Sequence, residues 1–331
     1  MTEKNRINWI DYSKVVLIIL VVLGHSPLLP YELDLLICGF HMPAFFIISG
    51  YLHKCQPTIT SCIIKNGRRL LIPAILFSLI CYIYWLSSFL LNAPFSLEEC
   101  VLKPLYGLFF YDVEVATPVC GVIWFLVVLF LCFFIIDFVV NNFRIIGIIT
   151  ISVCCILATI IFSYFEYKDF QYGFYVQRTV ISFPYVALGF ILRQRNIGIT
   201  NNKKKCLVMA IVLTLAYVIL VSHNGRGGIY SCNFGRSVIL YYVVAIIGSL
   251  ALFHWTGVLK KSSSMVIKLS MGTIVILCLH QSIIRLLCHI WVNPYFTTIV
   301  TIAFCYAIIP FLYRYLPWLV GLSTTIQKSN G

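Results

Sequence analysis

The sequence predicts an all-α fold: a polytopic membrane helix bundle of about ten transmembrane helices, with both termini cytoplasmic. Three observations predict it. Apolar residues fill 61% of the 331 positions and charged residues only 11%, against about a quarter charged in a soluble domain. The apolar residues run in long stretches, not in the short alternating segments of a barrel, and only helices or closed barrels satisfy their backbone inside a bilayer. The basic residues, finally, fall mostly on one side of those stretches.

Taken in order, the apolar cores are 10–29, 35–52, 70–91, 119–140, 145–164, 178–192, 206–221, 238–254, 269–284 and 297–315. The first is the least regular, because Asp11 and Lys14 lie in its opening turns. Residues 1–9 resemble the basic start of a signal peptide. No small-residue cleavage site follows the apolar run, so the first helix is expected to stay. Threading the ten cores places Lys4, Arg6, Lys14, Lys54, Lys65, Arg68, Arg69, Arg144, Arg193, Arg195, Lys203, Lys204, Lys205, Lys260, Lys261, Lys268, Arg314 and Lys328 on the side shared by the termini. The other side holds Lys103, Lys168, Arg178, Arg226, Arg236 and Arg285. That division, 18 of the 24 basic residues against 6, assigns the first side to the cytoplasm by the positive-inside rule. Termini on one side require an even number of helices, which agrees with ten.

The expected setting is therefore a bacterial-type inner or plasma membrane, crossed many times, with membrane lipid as a partner. A net charge of +13 would suggest nucleic acid in a soluble protein; here it follows from topology, and no nucleic-acid partner is expected. Nothing in the sequence sets an oligomeric state. No linker, repeat or low-complexity tract divides the chain, so 1–331 reads as one integral membrane domain with no appended soluble domain. The longest loop, 92–118, lies outside and is acidic. The fourteen cysteines show no C-x-x-C and no metal-ligand spacing. They read as packing residues, and no metal is expected. Cys100, Cys120 and Cys232 fall in outer loops, where a pair among them is open.

His25 is the most informative residue. It ends the apolar run 15–24 and is followed by a second histidine in Phe40-His41-Met42-Pro43. An ionisable group at membrane depth is costly and is a functional candidate by default, although a neutral histidine tied to a carbonyl is the plain alternative. Counting at 1.5 Å per residue puts His25 roughly 16 Å beyond Lys14 and His280 roughly 18 Å beyond Lys268. His41 lies roughly 9 Å below the outer end of its helix, so three histidines from three helices fall near one level. Positions 11, 14, 18, 21 and 25 share one face of the first helix. Asp11 and Lys14 are either a local ion pair or part of a cytoplasmic entrance. Arg68-Arg69 stands at the mouth of the third helix. Guanidinium pairs grip phosphates well, and an interfacial lipid anchor is the alternative. The outer segment 223–236 mixes glycines, Arg226, Tyr230 and Phe234. It is either a flexible loop or a lip over a substrate.

Several ordered stretches resemble the acyltransferase family 3 of integral membrane proteins, which acylate sugars and polysaccharides. They are Arg6-Ile7-Asn8-Trp9-Ile10-Asp11-Tyr12-Ser13-Lys14 with Val21-Val22-Leu23-Gly24-His25, then 40–51 from Phe40-His41-Met42-Pro43 to Ser49-Gly50-Tyr51. Arg68-Arg69-Leu70-Leu71-Ile72-Pro73, Trp124-Phe125-Leu126, the run 183–190 from Phe183-Pro184-Tyr185 to Leu188-Gly189-Phe190, and Leu279-His280 follow. The resemblance covers nearly the whole chain. It implies a membrane O-acyltransferase, with acetyl-CoA bound from the cytoplasm as the donor. The implied acceptor is an extracytoplasmic or lipid-linked sugar or polysaccharide. His25 then corresponds to the catalytic histidine, supported by His41 and His280. Arg68 and Arg69, with Lys14, would hold the CoA phosphates, and Asp11 would shape the entrance. The family's basic stretch reads Lys65-Asn66-Gly67-Arg68-Arg69 here, which leaves open which arginine fills which role. Trp124, Arg226 and Tyr230 are expected on the acceptor side. A proton-coupled exporter is the competing reading, but no second copy of the Gly-His or Phe-His-Met-Pro pattern marks an internal repeat.

Overall fold

The computed structural model describes residues 6–90, 98–110, 121–164, 173–259 and 261–322. Helices dominate them. They are α1 (Asn8–Gly24), α2 (Tyr31–Cys38), α3 (His41–Leu52), α4 (Ile59–Asn66), α5 (Ile72–Leu90), α6 (Lys103–Phe110) and α7 (Ile123–Tyr164). After these come α8 (Phe174–Gln194), α9 (Lys203–Asn224), α10 (Val238–Gly257), α11 (Ser264–Met271), α12 (Thr273–Cys288) and α13 (Pro294–Tyr315). The described strands are a two-residue ladder in the outer loop, with Gly227 opposite Phe234. Side chains cap several starts: Asn202, Ser237, Ser263 and Asn293 each accept a backbone N–H from the first turn of α9, α10, α11 and α13.

The apolar helices make this a polytopic membrane bundle. Among the described residues, seven stretches are long and apolar enough to cross a membrane, and eight when the bent pair α11 and α12 is taken as one span. Two further features bear on the expected ten. α7 has 42 residues, about 63 Å of helix, twice a hydrocarbon core of about 30 Å. At Arg144 its backbone leaves the helical region, with φ 59° and ψ −162°, and this divides it into two crossings, as the sequence places them. α1, at 17 residues, is a short crossing.

Three of these spans are interrupted. α1 stops at His25, and Leu28 just beyond takes φ 59°. α2 and α3 break at Gly39-Phe40, directly before His41. α11 and α12 bend by 74° at Gly272. Broken helices at membrane depth are tolerated only where protein or a cavity covers the freed backbone.

The rest of the bundle is continuous and tightly packed. Where α3 crosses α8, a Cβ on Gly50 would stand 2.0 Å from the Val186 carbonyl oxygen, and one on Gly189 1.9 Å from that of Ile47. Only glycine lets the two backbones touch, which explains both glycines of the Ser49-Gly50-Tyr51 and Leu188-Gly189-Phe190 stretches. Phe46, Phe183, Tyr185 and Phe190 fill the core around this crossing.

The expected loop 92–118 is helical where it is described: a π-helical turn, Glu98–Leu102, leads into α6, while 92–97 and 111–118 lie outside the described residues. Of the three outer cysteines, Cys232 is a buried free thiol. Cys120 and the side chain of Cys100 are outside the description.

Candidate active site

The interrupted spans bring the histidines together. The ring centroids of His25 and His280 are 5.1 Å apart. Both His41 and Asp34 act on His25 electrostatically. His25 is exposed, although Val21, Val22 and Ser26 around it are buried. His280 is fully buried in α12. Its Nδ1 faces the carbonyls of Leu277, at 2.8 Å, and Ile276, at 3.1 Å. A carbonyl can only accept, so Nδ1 carries the proton and Nε2 carries the lone pair. That Nε2 is buried and has no hydrogen-bond partner among the described residues. His41 repeats the arrangement, with Nδ1 donating to the Ile37 carbonyl at 2.7 Å across the helix break. The plain alternative, a histidine tied to a carbonyl, thus describes His41 and His280. His25 has no such tie among the described residues.

The floor of the bundle on the basic side is knitted by hydrogen bonds. Asp11 does not pair with Lys14, as a local reading of α1 allows. Its two oxygens take the Arg6 guanidinium, at 2.8 and 3.0 Å, and Oδ1 also accepts from Ser270 Oγ at 2.6 Å. Lys14 Nζ donates to the Ser270 carbonyl instead. α1 is therefore clamped to the last turn of α11, beside the bend at Gly272. Ser13 and Thr256 share a hydrogen bond at 2.8 Å, and Tyr12 donates to the Lys261 carbonyl.

Arg68 and Arg69 sit in a π-helical turn, Gly67–Leu71, between α4 and α5. One extra residue per turn bulges the chain, a distortion common at functional sites. Both side chains are exposed, and neither makes a hydrogen bond or ion pair among the described residues. Arg69 acts electrostatically on Lys14 and Tyr313, which ties the arginines to the α1 floor. A 3₁₀ turn, Pro317–Val320, backs them. Gly321 follows it at φ +75°, and a Cβ there would stand 2.9 Å from the backbone of Arg68 and Arg69. Alongside opens a cleft of about 890 Å³, lined among others by Arg6, Lys261, Ser262, Ser263, Lys268 and Tyr313.

On the outer side, Trp124 and Tyr230 meet with ring centroids 5.9 Å apart, and Tyr230 also packs on Phe174 at 5.8 Å. Trp124 is buried and Tyr230 half-buried. The start of α7 is held against the histidine helix by Gln281, which accepts the Gly121 N–H at 3.0 Å. The segment 223–236 is ordered: Asn224 and the β ladder fold it back, and Arg178 donates twice to the Tyr230 carbonyl. Arg226 pairs with Asp34, which keeps its guanidinium even more firmly charged than usual and fastens the lip to α2.

The ordering of these parts along one chain decides the family. The model of the acyltransferase domain matches residues 7–313. The chain belongs to acyltransferase family 3. This membrane acyltransferase is also similar to the nodulation protein NolL of Mesorhizobium japonicum, 27% identical over 202 residues, which cover 56% of this chain and 47% of the relative. The chain thus spans about half the length of the curated relative it matches. No solved structure matches it.

Two groups of residues escaped the sequence reading. Ser270, the anchor of both Asp11 and Lys14, is 259 positions from Asp11 and carries no local signal. His53, Cys55 and Asp137 converge at the C-terminal end of α3 and within the first half of α7. Asp137 had a signal, being an acid inside an apolar span.

Proposed function

We propose that this acyltransferase moves an acetyl group from cytoplasmic acetyl-CoA to a hydroxyl of an extracytoplasmic or lipid-linked sugar, in a bacterial-type plasma membrane. The observation that carries the reading is the approach of the His25 ring to His280, whose lone-pair Nε2 has no hydrogen-bond partner among the described residues. CoA is a polyanion and stays at the basic face. Arg68 and Arg69, exposed on their π turn, and the cleft with Lys261 and Lys268 suit its phosphates. Lys14, held by Ser270, adds charge at the inner end. The pantetheine arm then carries the thioester along α1 toward His25.

The acceptor hydroxyl arrives from the outer side, under the lip that bears Tyr230 and Arg226, with Trp124 behind it. Neutral His25 takes the hydroxyl proton while the oxygen attacks the thioester carbonyl. The new C–O bond forms, the C–S bond breaks, and the CoA thiolate leaves toward the cytoplasm, taking the proton from His25. His280 positions His25. Its Nε2 accepts the second N–H of the imidazolium, as a triad acid does for its histidine. With Nδ1–H committed to carbonyls, neutral His41 and His280 are hydrogen-bond acceptors here, so they orient and do not donate to an oxyanion.

Mass spectrometry of surface glycans from cells with and without the gene tests this reading. An acetyl increment that needs the gene is expected, and identical glycans would refute it. Sidedness is tested in sealed right-side-out vesicles. Acetyl-CoA inside should support acetylation of glycan on the outer face, and acetyl-CoA added outside should not.

A further inference from the structure

We propose that His53, Cys55 and Asp137, completed by Cys62, form a site for a divalent cation of the zinc class at the cytoplasmic end of the bundle. The proposal departs from the sequence expectation of no metal, and it does not rest on the acyl-transfer reading. Spacing along the chain hides the site. His53 and Cys55 are two residues apart, Cys62 lies on the next helix, and Asp137 is 84 positions from His53.

The fold gathers them. His53 caps the C-terminus of α3 with extended backbone, φ −68° and ψ 134°, which turns the chain back so that Cys55 faces the same point. The ligand atoms of His53, Cys55 and Asp137 lie within 4.8 Å of one another. Cys62 lies on α4, which packs against α7. His53 and Asp137 are 6% and 1% exposed, and Cys62 is fully buried. A zinc ion with bonds of about 2.0–2.3 Å suits such a set of nitrogen, sulfur and carboxylate donors.

Three details favour a cation over a simple buried ion pair. Asp137 Oδ1 accepts from His53 Nε2 at 2.7 Å, but Oδ2 is buried with no hydrogen-bond partner among the described residues. A carboxylate oxygen left so is expensive, and a cation supplies what it lacks. The His53 ring is already oriented, stacked on Phe133 at 4.1 Å and 15°, as the ring of a metal-binding histidine must be. Finally, buried Asn66 donates its amide N–H to Cys62 Sγ at 3.3 Å, which holds the sulfur in place. On binding, the proton His53 shares with Asp137 moves to Nδ1, so that neutral Nε2 and the carboxylate face the cation, and the two thiols release their protons to solvent. It would staple the segment before the Arg68–Arg69 turn onto α7.

The test uses full-length protein purified in detergent with a tag free of histidine. Elemental analysis should find about one zinc per chain, lost in a Cys55→Ser, Cys62→Ser double variant. Metal-free wild type titrated with Co²⁺ should develop a sulfur-to-cobalt charge-transfer band, absent in the double variant and weakened in Asp137→Asn. Wild-type protein that holds no zinc and gives no cobalt–thiolate band would overturn the proposal without recourse to any variant. Metal retained in full by the double variant would overturn the assignment of the site.

Discussion

His53 and His280 are both buried imidazoles on apolar helices, yet one faces an acid and the other faces only a second histidine. His53 has Asp137 at 2.7 Å and Phe133 stacked on its ring, so both its orientation and its Nε2 hydrogen bond are met locally. His280 gives its Nδ1–H to its own helix and keeps an unpartnered Nε2 5.1 Å, ring to ring, from His25. The surrounding backbone differs in the same sense. His53 lies at the far end of α3 from the Gly39-Phe40 break, beside the glycine-to-backbone contact with α8, whereas His41 stands at that break, His25 at the stop of α1 and His280 beyond the bend at Gly272. Burial alone therefore does not mark a histidine for chemistry. An unspent lone pair beside interrupted helices does, because such a group can still change partners.

The comparison breaks if the two histidines respond alike to substitution. His53→Ala should cost about 3–5 kcal/mol of stability, because it leaves the Asp137 carboxylate buried and unpaired. Thermal unfolding in detergent would read this as an early melt. His280→Phe should leave the melt nearly unchanged, since no cross-helix hydrogen bond is lost. Acyl transfer should then fall by about 10²-fold through kcat, with little change in donor KM.

Smaller effects sharpen the division between the histidine layer and the basic face. Arg69→Gln should raise the donor KM by about tenfold, the worth of one charge-assisted hydrogen bond, with kcat close to wild type. A change confined to acceptor KM would place the arginine on the wrong side of the chemistry. Arg226→Gln should do least. Its pair with Asp34 is half exposed on the arginine side, at 49%, so the loss of stability should stay below about 1 kcal/mol. Acceptor KM should rise by a small factor.

Much of this architecture could be read from the residues alone, for reasons that are physical. Long apolar stretches announce the spanning helices, because the bilayer imposes their length, and the one-sided basic residues give the expected orientation. The turn at Arg144 and the level of His25, His41 and His280 follow from counting residues at a fixed rise. Side-chain partners chosen across the bundle were not legible. Arg6 lies before α1, and a local i, i+3 reading could not see that it would take Asp11. Ser270 could not be tied to Lys14 without the bend at Gly272. The His53–Asp137 pair joins two helices whose contact depends on how α3, α4 and α7 pack. Gly39 and Gly272 are visible as residues, but their breaks come from tertiary packing.

The central claim, that His25 is the group that takes the acceptor's proton, is tested most directly by His25→Ala. Purified wild type and variant would be reconstituted in vesicles and given radiolabelled acetyl-CoA and acceptor glycan in a single turnover. The account predicts that the variant binds the donor with near wild-type affinity and melts with the wild type, while transfer falls by about 10³-fold or more. Label passing to the glycan at the wild-type rate in His25→Ala would contradict it.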